Sequence, residues 1–362
     1  MFSVRRLGAC VAASAFISLT PHASSDNSKN KASSLVFIGS GNSCGTPHLH
    51  CLLGHSQDKT HLGGCSVCRK SLDDAPPHLN KNYRGNPSLL VKYENSVDST
   101  TYVQIDVGKT FRDNAVRWYP RLGIPHLDAV VITHGHADAF MGLDDLRMAQ
   151  KRGTPIDIFL SWQTFETVKE AFPYLVRGQV PNFVGSAKSL KIVETLQRTF
   201  SLPKTYIANL NWNIMASPSL DEVPCEPFVA AGLEITPLPV FHGDNYLCLG
   251  FVLGKSNKKA VIITDVSAIP PKVLKCIKEW DIEILIIDTL HRTIKYPTHI
   301  SLEQSLEIIE DLKPKKAYLI GVSHDIEHEE TNKYLATMKK SKGLDIQVAY
   351  DGLEISLEEI DI

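Results

Sequence analysis

Ala129-Val130-Val131-Ile132-Thr133-His134-Gly135-His136-Ala137-Asp138 is the stretch on which the reading of this chain turns. Its first half is apolar and mostly β-branched, the composition of a buried strand. Its second half sets two imidazoles and a carboxylate at alternate positions just past the strand's end. Gly135 lets the chain turn tightly between them. Side chains so placed can converge on one point, and neutral imidazole with carboxylate suits zinc, iron or manganese. A lone histidine is more often structural and an isolated H-x-H is a weak signal. H-x-H-x-D at a strand end is a much stronger one.

The pattern repeats downstream. Apolar runs at 233–241, 260–264 and 316–320 end at His242, at Asp265 and near His324. Singly, each would be an ordinary surface or capping residue. Jointly, they bring donors from distant segments to strand ends, as sheet-built sites do. Further strands are expected at 35–38, 88–93, 102–106, 128–133, 156–160, 248–253, 282–288 and 346–350. Helical periodicity marks 111–119, 143–150, 271–279, 302–312 and 329–338. Strands alternating with helices predict a layered α/β domain. Residues 174–230 fit this rhythm poorly and read as an insertion, with helix around 187–197.

An apolar fraction of 43% supplies a sizeable core and argues against wholesale disorder. The formal net charge of −2 gives no sign of electrostatic capture by nucleic acid or an anionic membrane. Four of the 8 cysteines, Cys44, Cys51, Cys65 and Cys68, crowd the stretch 39–86, which is too long for a structureless loop. A disulfide framework belongs to small secreted domains, so thiols beside histidines here read as a metal site. Cys65-Ser66-Val67-Cys68 has the spacing of a zinc knuckle. Residues 1–33 read as a targeting segment and linker. They hold Arg5, Arg6, an apolar run from Leu7 to Leu19 that is too short to span a bilayer, and then a polar tract. A mitochondrial or other organellar destination is expected over secretion, and the folded domain is expected over 34–362.

The order Asp106, His134-x-His136-x-Asp138, His242, Asp265, His324 resembles the motif series of the metallo-β-lactamase superfamily. Within it the chain is most similar to phosphoribosyl cyclic phosphate phosphodiesterase-like hydrolases. The shared features are the early cysteine loop, Ile105-Asp106-Val107-Gly108, and Thr298-His299 before a helix. The resemblance implies an αββα sandwich, two β-sheets flanked by helices, with metals at one edge. It implies one metal on His134, His136 and His242, a second on Asp138 and His324, with Asp265 bridging and Asp106 supporting from behind. It also implies a structural zinc on Cys51, Cys65, Cys68 and His328, where Cys44 or His61 could replace a member. The active centre is thus expected to take one or two divalent metals, zinc or manganese. One departure stands out: the superfamily reads H-x-H-x-D-H, and here the last position is Ala139. Asp144 could then be recruited.

Two such metals share a hydroxide and stabilise charge developing on the substrate, with Asp138 and Asp265 orienting the nucleophile. The likeness makes His299 the proton donor to the leaving oxygen, although Thr298 or Ser301 could instead mark a helix cap with His299 incidental. His291 and Arg292 follow the strand ending at Asp288, and Arg292 is either a phosphate ligand or a solvated arginine. The expected partner is a small cyclic or nucleotide-like phosphodiester, with a homodimer left open. Fold does not fix function, so a thioesterase, a tRNA-processing nuclease or a degenerate binding protein are the alternatives. Ala139 is the feature that favours the last.

Overall fold

Most strands of this chain are apolar on both faces, which demands cover on both sides and so a layered molecule. The computed structural model describes residues 32–53, 65–73, 75–96, 99–184, 208–221 and 223–362. Residues Ala32–Ile362 form one compact unit. The expected helix 187–197 and His61 lie outside the described residues.

One sheet holds β1 (Ser34–Gly39), β2 (Ser88–Ser96), β3 (Ser99–Ile105), β4 (Ala129–Val131), β5 (Ile156–Ser161), β6 (Asn182–Phe183) and β7 (Leu210–Met215). The other holds β8 (Phe228–Ala230), β9 (Leu233–Phe241), β10 (Leu247–Leu253), β11 (Lys258–Ile263), β12 (Asp281–Asp288), β13 (Lys316–Ile320) and β14 (Ile346–Val348), and β15 (Glu354–Ser356) returns to the first. The spatial orders are β15-β1-β2-β3-β4-β5-β7-β6 and β14-β13-β12-β11-β10-β9-β8. Antiparallel registers such as Leu35↔Val91, Leu89↔Ile105 and Leu247↔Phe241 sit beside parallel runs. Strands β3, β4, β5 and β7 are parallel, as are β11 to β14, so within each run the carboxyl ends share one edge.

The helices are α1 (Leu49–Leu52), α2 (Ser66–Asp73), α3 (Phe111–Leu122), α4 (Ala137–Phe140), α5 (Trp162–Ala171), α6 (Pro173–Val176), α7 (Pro271–Lys278), α8 (Leu302–Leu312) and α9 (His328–Lys342). Between the sheets, Leu35, Phe37 and Leu89 meet Phe228, Phe251 and Ile286. The outer face of the first sheet packs on α3 and α5 through residues such as Trp118 and Phe165. That of the second packs on α7, α8 and α9 through Ile277, Ile309 and Leu335. This is the expected αββα sandwich.

Local signals explain the boundaries. Gly123 closes α3 in the left-handed conformation, Ser301 and Gln304 form a reciprocal cap at the start of α8, and Pro271 opens α7. The stretch 143–150 is a 3-10 helix over Leu143–Met148 instead of an α-helix. Residues 174–230, read as an insertion, supply β6, β7 and β8, and β7 pairs with β5 along its whole length. Its Trp212 and Ile214 belong to the buried core. Among the described residues no helix is long and apolar enough to cross a membrane.

Candidate metal centre

The carboxyl ends of β3, β4, β9, β11 and β12 carry Asp106, His134 with His136, His242, Asp265 and Asp288. The sheets join here, where Leu249 N of β10 donates to Thr133 O at 3.2 Å. Asp106 adopts φ 59, a left-handed backbone that costs a residue with a Cβ, and is buried. The conformation lets its carboxylate accept from Thr133 N at 2.9 Å and from Thr133 Oγ1 at 2.8 Å. Having donated its one proton to Asp106, the Thr133 hydroxyl can only accept from His134 Nδ1, 2.8 Å away. His134 is thereby fixed as the Nδ1–H tautomer with a bare Nε2, and that buried Nε2 has no hydrogen-bond partner.

His242 is set the same way. Its Nδ1 lies 2.8 Å from the Thr298 carbonyl, which can only accept, so Nε2 is bare. That Nε2 lies 3.2 Å from His136 Nδ1. The His134 ring is 4.5 Å from that of His136 and 5.0 Å from that of His242, centre to centre. Donor nitrogens of His134, His136 and His242 all fall within 4.8 Å of one another. Burial favours the neutral form of two of the rings: it lowers His134 to about 3, and burial with the neighbouring His242 lowers His136. Three imidazoles, one with an orphaned buried nitrogen, fit a divalent cation. Asp265, buried, groups with His242 and His299. Burial opposes its ionisation, but His134, His242 and His299 hold its pKa below the usual value.

Asp138 lies in the first turn of α4, and burial together with Asp265 pushes its carboxyl up to about 6. Gly108 allows this approach, since a Cβ there would stand 1.8 Å from Asp138 O. His299 belongs to the same site. Its Nδ1 meets Asp288 Oδ2 at 2.7 Å and its ring lies 4.8 Å from that of His242. Burial opposes protonation of His299, yet Asp288, backed by Asp265 and Asp138, raises it to about 9. The cap signal and the site signal coexist here, because Ser301 caps α8 while His299, two residues earlier, faces the metal ligands.

A second cluster lies in the early loop. Cys51, Cys65, Cys68 and His324 bring one donor atom each within 4.8 Å of one another. A tetrahedral zinc with Zn–S bonds of about 2.3 Å needs donor separations of roughly 3.7 Å. His324 Nδ1 is 3.3 Å from Cys51 Sγ and 3.6 Å from Cys68 Sγ, and His48 N donates to Cys68 Sγ at 3.3 Å. Burial raises the Cys51 and Cys68 thiols, Cys68 to about 12.

This geometry corrects two expectations. His324 was expected at the active centre and joins the thiols. His328 was expected with the thiols and does not join them, because the Asp325–Glu327 turn carries it into α9. There its N donates to Asn82 Oδ1 at 2.9 Å, its Nε2 lies 3.0 Å from Asn332 Nδ2, and its ring meets Tyr350 edge-on. Cys44 is exposed and outside the cluster. Asp144 pairs with Arg147 at 3.5 Å, and Arg292 pairs with Glu330 at 3.1 Å. His291 accompanies Asp325 at 3.0 Å.

Sequence reasoning missed Tyr246, whose ring stacks on His136 at 5.3 Å and 7° while its hydroxyl accepts from Gly135 N at 3.2 Å. It missed Asp288, His48 and His50 as well. The last two crowd His324, His48 stacking on it at 3.9 Å. Position just beyond or at a strand end could have marked Asp288. Nothing in the sequence marks Tyr246.

Residues 101–322 match the family described as the β-lactamase superfamily domain. Among solved structures, a diphosphatase of the PhnP family is 28% identical with a TM-score of 0.62, over 90% of this chain and 98% of that one. PqqB from Methylobacterium extorquens, solved with Zn(2+) bound, is 16% identical with a TM-score of 0.60, over 90% and 100%. The short form of human tRNase Z is 15% identical with a TM-score of 0.53, over 90% and 99%. The last two are likenesses of fold. A protein named octanoyltransferase from Porphyromonas gingivalis is 26% identical over 325 residues, 90% of this chain and 51% of that protein. The chain thus spans about half the length of that curated relative.

Proposed function

The chain belongs to the β-lactamase superfamily, whose members are metal-dependent hydrolases, and from that premise we propose that it cleaves a small cyclic or nucleotide-like phosphodiester. The observation that carries this is the Asp288–His299 pair beside His242 and Asp265. The metal ligands alone do not separate a phosphodiester from a thioester. A thiolate leaves unaided, with a thiol pKa of about 8.5. An alkoxide is a far poorer leaving group and gains from a proton. His299 holds Nδ1 against Asp288, which leaves Nε2 to deliver that proton. The 28% identity to a PhnP-family diphosphatase supports chemistry at phosphorus.

His134, His136, His242 and Asp265 would hold the catalytic ion, zinc or manganese. When bound, a divalent cation polarises a phosphoryl oxygen and lowers the pKa of water. Asp138 would accept a proton from the attacking water, and Tyr246 holds the His136 ring and the Gly135 turn in place. Cys51, Cys65, Cys68 and His324 would hold a structural zinc that fastens the early loop to the turn after β13. The test is hydrolysis of a cyclic alkyl phosphodiester and of a nitrophenyl diester by the purified protein and by His299→Ala. We expect His299→Ala to lose about 10²–10⁴-fold on the alkyl diester and far less on the nitrophenyl one. Equal losses, or a preference for thioesters, would overturn the reading.

A further inference from the structure

We infer that the catalytic centre of this chain takes one divalent cation where the superfamily resemblance leads one to expect two. The inference rests on the metal-centre reading above. The first set of donors is complete: a ring nitrogen from each of His134, His136 and His242 lies within 4.8 Å of the other two, the three protein ligands that a catalytic zinc ordinarily takes. The other side is not. Ala139 stands where a ligand was expected, and its methyl is buried in the apolar cluster under α4. His324, expected there too, turns Nδ1 to Cys51 and Cys68.

The turn after β13 offers no replacement. Gly321 has φ +75 and no side chain, and a Cβ there would stand 2.6 Å from Asp288 Oδ1. The space is taken by the carboxylate that holds His299. Val322 is apolar and buried, and Ser323 supplies only a neutral hydroxyl. His299 could join His242 and Asp265 in a second set. His242, however, commits Nδ1 to the Thr298 carbonyl and has one lone pair, on Nε2. That lone pair already belongs to the first set, so the two sets compete for a single ion. What remains for another cation is carboxylate oxygens: those of Asp138 and Asp265 and the unpartnered Oδ1 of Asp288. Among the described residues no group of three or more donors includes Asp138. Carboxylates that do not converge in threes fall short of the three protein ligands that a catalytic zinc ordinarily takes.

The test is titration of the metal-free full chain with cobalt(II), read by absorption and by elemental analysis after desalting. Thiolate-bound cobalt gives a charge-transfer band that histidine and carboxylate ligands do not. We expect saturation at two equivalents per chain, one with the thiolate band and one without. Cys65→Ser with Cys68→Ser should then bind one equivalent, lacking the band. A second equivalent without the band in the wild-type protein overturns the inference and leaves the metal-centre reading standing. No equivalent without the band overturns both. Since wild-type protein alone distinguishes these results, misfolding of the double variant would not blunt the test.

Discussion

At the scale of single residues the centre is governed by proton counts. Asp106 accepts twice from Thr133, Thr133 accepts from His134, and the chain of donors ends on a bare, buried Nε2. Holding the ring in one tautomer spares a bound ion the cost of choosing it. Thr133→Val keeps the shape and removes the relay. It should weaken the metal that is not thiol-bound by about 10–100-fold, measured by competition with a chromogenic chelator. Thr133→Ser should keep wild-type affinity. If Thr133→Val binds as tightly as wild type, the relay does not set the tautomer. The strain at Asp106, a non-glycine residue at φ 59, is offset by the same two hydrogen bonds.

Elements decide which residues can meet. His328 opens α9 and is 3% exposed, with burial, then Arg84 and Lys81, lowering its pKa to about 4. Above about pH 6.5 the ring is neutral folded and unfolded and contributes nothing. As pH falls toward 4, the unfolded chain takes up a proton that the folded one refuses. Stability therefore drops by about 1.4 kcal/mol per pH unit, to a total of roughly 3 kcal/mol. Urea unfolding at pH 7 and pH 5 should show His328→Gln losing about 2 kcal/mol less than wild type over that interval. Parallel pH profiles would mean that the imidazole is protonated in place.

The elements also show how far the sequence carries. Strands at 233–241 and 316–320 and the helix at 302–312 have the bounds read from periodicity, because each has a full apolar face and clean punctuation. His134, His136, His242 and Asp265 were legible because each closes such a strand. The assignment of His324 and His328 was not. They are four residues apart in a turn, and which one faces the thiols depends on where α9 starts. Helix α5, with its Ser161 cap, and strand β7, where Leu210, Trp212 and Ile214 alternate with Asn211 and Asn213, went unread because they lie in or beside a stretch that otherwise breaks the strand–helix rhythm. Trp212 and Ile214 disclose their burial only once β5 lies beside them.

For the whole molecule, the centre and the thiol cluster fasten chain segments that are remote in sequence. Cys51 and His324 are 273 residues apart, and between them lies nearly the whole sandwich. Arg84, fully buried, already ties the early loop to the turn after β13. It donates to Ser323 O at 3.1 Å and Ile326 O at 2.9 Å. That tie holds His324 near the thiols before any ion is bound, but it does not order the thiols themselves. Burial raises the Cys51 and Cys68 thiols, so their protons compete with a zinc ion. A bound zinc would contribute its binding free energy directly to folding, since the unfolded chain holds these ligands far apart. At about 2 °C per kcal/mol for a unit of this size, several kcal/mol amount to a drop in Tm on the order of 10 °C. Wild-type protein stripped with a strong chelator should show that drop. Cys65→Ser with Cys68→Ser should melt near the stripped value whether or not zinc is added. The centre at His134, His136 and His242 is prebuilt by its own hydrogen bonds, so His136→Ala should leave most of the zinc-dependent rise in Tm intact. A His136→Ala protein that no longer responds to zinc would shift the stabilising role to the catalytic centre and leave the thiols a minor part in the fold.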